Sequence, residues 1–249
     1  MTNIVPVDRQ RHAGKGWRHV TGYGFVARDS VVPLGGSEFP QAISAMPIAF
    51  MERSAGHYIP VGLMAVSKGN NVFVGPAGQW HGNYLPAVLR VYPFSLTRVG
   101  GSEEAKLCID EDSGLVVDDN GGEGVEKFFE QDGSPSASTT ALTEALRRLE
   151  HDQTITDRAV TVLADAGVIK PWPLNVPVGN EQVTVSGLYR VDEPTLNALD
   201  DETFLKLRKT SALVIAHGQL MSMAQVNLLA RLSSLKQRMA TGPSDLLPV

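Results

Sequence analysis

The longest periodic segment of the chain runs from about Ser211 to Ala240, where Leu213, His217, Leu220, Ala224, Leu228, Leu232, Leu235 and Met239 recur at near-helical spacing. A stripe of that length needs a surface to cover it. The segment therefore predicts one long C-terminal helix whose Leu213–Leu220–Leu228–Leu235 side is buried against a sheet or another subunit. The sheet is expected upstream. "RHVTGYGFVA" reads as a first strand, "HYIPVGLMAVS" as a strong one and "NNVFVG" as a short one, with turn residues "KGNN" between the last two. A short helix around Ala42 to Ala45 feeds a strand at Pro47 to Met51, and "PAVLRVYPFSLTRVG" gives a helical turn and then a strand. "AKLCID" and "GLVVDD" form an expected hairpin across "EDSG".

Beyond residue 120 the pattern changes. "NGGEGVEKFFEQDGSPSAST" is a Gly- and Ser-rich passage around one expected short helix. Leu142, Ala145, Leu146 and Leu149, then Ile155, Ala159, Val162, Leu163 and Ala166, carry a helical stripe that Gly167 is placed to end. "KPWPLNVPV" and "EQVTVSGLYRV" are extended runs joined by "GN", a hairpin signal, and "DDETFLKLRKT" is a short helix with acidic residues in its first turn. The expected fold class is α+β: a β-rich N-terminal body and C-terminal helices with an inserted hairpin, packed as one compact unit. Its parts are a basic arm at 1–18, a β-rich part at 19–133, a helical part at 134–240 with the hairpin at 170–191, and a tail at 241–249.

Composition narrows the function. Hydrophobic residues at 43% and charged residues at 20% suit a folded protein rather than a disordered one. A net charge of −5 disfavours a surface built for nucleic acid, which needs concentrated Lys and Arg. Arg9, Arg11, His12, Lys15, Arg18 and His19 are the local exception. They read as a solvated arm whose removal should spare the fold and weaken capture of an acidic partner, much as added salt would. The single cysteine, Cys108, lies in a strand-like alternation and reads as a buried thiol; no intramolecular disulfide or Cys-rich metal site is available. The first residues lack an apolar run after their charges, and no run approaches 18 apolar residues. A cytoplasmic protein with no membrane span is expected.

No catalytic signature stands out. The six histidines are scattered without metal-ligand spacing, no G-x-S-x-G elbow or phosphate loop occurs, and the acidic runs at Asp110 to Asp112 and Asp118 to Asp119 flank an expected turn. No cofactor and no metal are expected. The stretch from Gly69 to Leu96, "GNNVFVGPAGQWHGNYLPAVLRVYPFSL", holds the candidate ligand-binding set Trp80, His81, Tyr84, Arg90 and Tyr92. Amphipathic rings with polar tips beside an arginine suit a binding site, and they equally suit the boundary of a core.

"VPLGGSEFPQAISAMPIAF", the stretch from Pro60 through "GNNVFVGPAGQWHGNYLPAVLRVYPFSL", "LADAGVIKPWPL", "SGLYRVDEPTLNAL" and "LVIAHGQLMSMAQVNLLARL" together resemble the SapC family, in that family's order over roughly residues 20 to 235. "IAHGQLMSMAQ" is similar to the family's A-H-L-x-S-L block, with Gly218 and Met223 as departures. The resemblance implies no agreed catalytic residues. Its name implies bacterial surface layers, and relatives are often encoded near outer-membrane nutrient receptors and cupin-like oxygenases. The expected function is a non-enzymatic binding or accessory protein with a small-molecule or peptide ligand, a protein partner or self-association. The alternatives are an envelope or surface-layer component, and an enzyme of unknown reaction working through His81 or His217.

Overall fold

The computed structural model describes residues 3–98, 105–119 and 122–241. In chain order its first elements are β1 (Ile4–Pro6), α1 (Arg9–His12), β2 (Lys15–Arg18), β3 (Val31–Pro33), α2 (Phe39–Ala42), β4 (Ile48–Ser54), β5 (His57–Leu63), α3 (Ala87–Arg90) and β6 (Phe94–Arg98). There follow β7 (Ala105–Asp110), β8 (Val116–Asp118), β9 (Val125–Lys127), α4 (Ala137–Asp165), β10 (Ile169–Pro171), β11 (Leu174–Val178), β12 (Glu181–Val185) and β13 (Leu188–Val191). The last are α5 (Glu193–Asn197), α6 (Asp201–Lys209), α7 (Ala212–Ser222) and α8 (Val226–Thr241). The chain is α+β, with a sheet-rich N-terminal body and C-terminal helices. Its contacts divide it into two compact units, Met1–Thr21 with Ala87–Asp152, and Gly22–Pro86 with Gln153–Val249.

The first unit holds two three-stranded antiparallel sheets, ordered β1-β7-β6 and β8-β2-β9. Residues 4–18, expected as a solvated arm, are thus folded in: β1 pairs with β7, and β2 is the central strand of the second sheet. Trp17 explains why. Its buried indole packs edge-on to Phe94 at 5.2 Å and against Phe128 at 4.9 Å, in a cluster with Ile109 and Leu146. His12 is also fully buried, beside Phe128 at 5.0 Å. The expected hairpin between residues 105–110 and 114–119 does not form, because both edges of β7 are already taken by β1 and β6. Instead the Asp110 carboxylate accepts the Asp112 N–H, the chain makes a 3-10 turn at Glu111–Ser113, and Gly114 reverses it at φ 73 before β8 joins β2. The short helix expected after residue 120 is replaced by strand β9.

Arg11 of this basic run is spent locally. The Arg11 guanidinium forks onto Glu111, with Nε 2.7 Å from Oε1 and the second bond to Oε2. That hydrogen bond holds the Glu111 carboxyl below its ordinary value of 4.5. A carboxyl depressed by folding contributes stability above its unfolded pKa and loses it as pH falls through the lower folded value. Acid titration from pH 5 downward is therefore expected to destabilise the protein, with Glu111→Gln flattening that limb; equal slopes for the two proteins in urea melts below about pH 4.5 would contradict this.

The second unit is built on a five-stranded antiparallel sheet ordered β10-β13-β4-β5-β3, with the separate hairpin β11–β12. The β11–β12 turn is the Gly179–Asn180 pair that the sequence marks, with Gly179 at φ 62. α4, which belongs to the first unit up to Asp152 and to the second from Gln153, begins at a cap made by Ser136, whose Oγ accepts the Thr139 N–H at 3.1 Å, and the chain turns at Gly167, φ 68. α6 is capped by Asp200 on Thr203 N–H at 2.9 Å.

The long C-terminal helix is broken, and its buried side is not the leucine stripe. A 3-10 turn at Met223–Gln225 separates α7 from α8. The Ser222 hydroxyl donates back to the Gln219 carbonyl at 2.6 Å, a bond that bends helices. The buried positions are Ala212, Ile215, Ala216, Gly218, Gln219 and Ser222 in α7, then Leu229, Ala230 and Ser233 in α8; Leu213, Leu220 and Leu228 are half-buried and Leu235 is exposed. α7 is apolar nearly all round, so small size and polarity select its inward side. Gly218 lies on Phe39, where a Cβ would come within 2.6 Å of the ring. Gln219 enters the sheet. Its Oε1 accepts the Val191 N–H at 2.9 Å and its Nε2 donates to the Ile48 carbonyl at 3.1 Å, while Ser222 Oγ accepts the Ile48 N–H at 2.9 Å.

Ladder pairing of β13 with β4 covers Leu188↔Met51 and Tyr189↔Phe50. Ile48 and Val191 lie beyond it, so the Gln219 amide stands in for the missing peptide bonds. By length and composition alone, the Ala212–Met239 segment contains an 18-residue window apolar enough to cross a membrane, at mean hydropathy 1.2, and 33% of that window is buried. The tail expected at 241–249 lies, beyond Thr241, outside the described residues.

Candidate functional site

The expected ligand set falls into both units. Trp80, His81 and Tyr84 belong to the second, Arg90 and Tyr92 to the first.

In the second unit the stretch read as a strand, "NNVFVG", is a compact loop. Buried Asn71 starts it: its Oδ1 accepts the Phe73 N–H at 2.9 Å and its Nδ2 donates to the Val26 carbonyl at 3.0 Å, a local bond that turns the backbone out of a ladder. Val74 and Trp80 make an isolated bridge around Gly75 to Gln79. Trp80 stacks on Phe73 at 5.4 Å and meets Tyr23 edge-on at 5.8 Å, and its Nε1 donates to the Tyr84 carbonyl at 3.0 Å. The Tyr84 hydroxyl donates to Glu38 Oε1 at 2.6 Å, and the other oxygen of that buried carboxylate accepts the Gly35 N–H at 2.8 Å. Lys236 of α8 donates to the Asn71 and Val74 carbonyls, and burial lowers its pKa. The polar tips of Trp80 and Tyr84 are thus committed to holding this loop, while His81 is exposed. These residues build a scaffold.

In the first unit Arg90 and Tyr92 line a cavity of about 310 Å³ together with Trp17, Arg18, His19, Val20, Val91, Phe94, Glu126, Ser138, Ala141 and Leu142. Arg90 comes from the end of α3 and Tyr92 from the turn before β6. Trp17 and Arg18 end β2, opposite Glu126 and Val125 of β9. Ser138, Ala141 and Leu142 come from the first turns of α4. Glu126 organises the charge. Its Oε2 accepts the Ser138 hydroxyl hydrogen bond and its Oε1 lies 3.5 Å from His19 Nε2. The Ser138 bond and then His19 hold its carboxyl below the ordinary range. Burial and then the Asp110 charge raise the Tyr92 hydroxyl, which stays a neutral hydrogen-bonding group at pH 7.

Ser138, Glu126 and His19 are the residue types of a hydrolytic triad in another order. A nucleophilic serine gives its proton toward an imidazole, which the carboxylate in turn orients. Here the carboxylate takes the serine hydroxyl itself and stands between it and the histidine. That order is not the serine–imidazole–carboxylate relay; it places a carboxylate in a lining that also carries Arg18 and Arg90. Among the described residues, no group of three or more His, Cys, Asp or Glu side chains is arranged to hold a metal ion. Cys108 is buried in β7 and His217 is exposed on α7.

Sequence reasoning singled out Arg90 and Tyr92 but missed the other residues that line the same cavity. Arg18 and His19 were visible as a basic cluster near the start, 70 or so residues upstream. The signal that could have joined them is Trp17 itself, a large apolar ring inside a supposedly solvated arm. Glu126 was hidden in a passage read as a helix.

Fold and site together define an α+β protein with a charged, aromatic-walled cavity in one of its two units. The family model described as SapC matches residues 7–229, and the chain belongs to the SapC family. No curated protein and no solved structure matches it.

Proposed function

We propose that this SapC-family member is a non-enzymatic binding or accessory protein whose ligand, a small molecule or peptide segment, enters the cavity of the first unit. The observation that carries the reading is the convergence of Arg18, Arg90, Tyr92 and Glu126 on one concave, partly apolar space. Trp80, His81 and Tyr84 drop out of the proposed site, since two of them are already tied into their own loop. A role beside envelope uptake or modifying machinery, as the family resemblance implies, suits a protein that holds a ligand.

A ligand that binds only the folded state raises its stability by RT ln(1 + [L]/Kd), about 2.7 kcal/mol at a hundredfold excess over Kd. Thermal-shift screening of small metabolites and short peptides should find compounds that raise Tm by several degrees, with the shift lost in Arg90→Ala and reduced in Tyr92→Phe. A screen with no shift, or shifts that both variants retain in full, rejects this cavity as the site.

A further inference from the structure

We propose that the cavity selects a small organic monocarboxylate, its charged end held by Arg18 and Arg90 and its apolar body laid on Val20, Val91 and Leu142. This rests on the cavity being a ligand site, and adds the charge class of what enters it.

Charge comes first. Two guanidiniums line the space, and guanidinium stays protonated at any physiological pH. Glu126 is the single carboxylate among the described residues of the lining, and its oxygens are engaged by the Ser138 hydroxyl and approached by His19. The lining thus holds two guanidiniums and one carboxylate. The whole chain has a net charge of −5, so two guanidiniums in one lining set this spot apart from the average of the chain. The first turns of α4 add to the same sign. This 29-residue helix begins at the cavity, and the positive end of its dipole favours an anion there.

Shape and the remaining carboxylate narrow the class. A planar guanidinium fork matches a carboxylate with two parallel hydrogen bonds. Glu126 in the same lining disfavours a second negative charge, which argues against a phosphate dianion. Val20, Val91 and Leu142 are half-buried, each leaving apolar surface for a ligand body to cover. The volume, about 310 Å³, sits at the small end of the roughly 300–1,000 Å³ typical of ligand sites, so one small acid fits and a long chain does not.

The test uses the full-length protein at pH 7 and low salt, with three probes of nearly one shape: phenylacetate, phenylacetamide and phenethylamine, which are anionic, neutral and cationic. Isothermal titration calorimetry should show phenylacetate binding about tenfold or more tighter than the amide, and the amine weakest, as a charge-assisted bond to arginine requires. Arg18→Gln and Arg90→Gln should each reduce phenylacetate affinity by roughly tenfold and leave amide binding unchanged, with far-UV circular dichroism confirming the fold. If the amide binds as tightly as the acid, or the amine binds tightest, the charge class is wrong while the cavity remains a ligand site. If none of the three binds up to about 10 mM, a Kd limit near −2.7 kcal/mol by RT ln Kd, the cavity itself is rejected and both readings fall.

Discussion

A chain that begins at His19 is expected to lose the structure of the first unit. Such a truncation removes β1, the outer partner of β7, and β2, the strand between β8 and β9. The two strands left behind have three residues each and no pairing with one another, too little to persist in water. It also removes Trp17 from the cluster with Phe94, Ile109, Phe128 and Leu146. Cutting a buried aromatic to alanine alone costs about 3–5 kcal/mol, a large share of a total stability of roughly 5–15 kcal/mol. Amides of 105–118 should exchange with solvent at nearly unprotected rates in the truncated protein, at low and high salt alike. Retained protection there would restore the view of residues 1–18 as a screened, dispensable arm.

Gln219→Met is expected to destabilise the protein by about 2–5 kcal/mol, although it conserves volume and adds apolar character. The cost arises at the groups left behind. The Val191 N–H loses its acceptor and the Ile48 carbonyl loses the Nε2 donor, inside a region where Gln219 is fully buried. Each buried backbone group deprived of its partner costs about 1–3 kcal/mol. Urea unfolding should show a lower midpoint at an unchanged slope, the signature of lost stability without a change in compactness. A loss under about 1 kcal/mol would mean that water or the neighbouring backbone replaces the amide, and that Gln219 is a passenger. Ser222→Ala, which removes the acceptor for the Ile48 N–H, should be non-additive with it, since both act on one residue of β4.

Much of the architecture could be read from local pattern. β4 and β5, the β11–β12 turn at Gly179–Asn180, α4 with its stop at Gly167, and the Asp200 cap of α6 each rest on contacts within a few residues. What was not legible depended on distant partners. The hairpin expected around "EDSG" fails only because β1, about a hundred residues earlier, occupies the free edge of β7. Hydrophobic spacing in α7 pointed to Leu213 and Leu220, whereas the inward side is chosen by Gly218 against Phe39 and by Gln219 between two strands. A periodicity count rewards leucine and cannot see either contact. The candidate cavity followed the same rule. Aromatic and arginine content marked Arg90 and Tyr92, while Arg18, His19 and Glu126 join them through the pairing of β2 with β9.

Each of the two units is made of two separated lengths of chain, and the lengths alternate: 1–21, 22–86, 87–152 and 153–249. On a ribosome adding roughly 5–20 residues per second, β2 therefore emerges several seconds before either of the strands that flank it. Ile48 waits longer still, since its side-chain partner lies 171 residues downstream. The nascent chain must carry open strand edges and the uncovered Trp17 ring through most of its synthesis. Such edges are where chaperones bind and where aggregation starts. For the same reason no single cut of the gene yields either unit whole, and an isolated unit would have to be assembled from two pieces, by co-expression or by rejoining them in a new order.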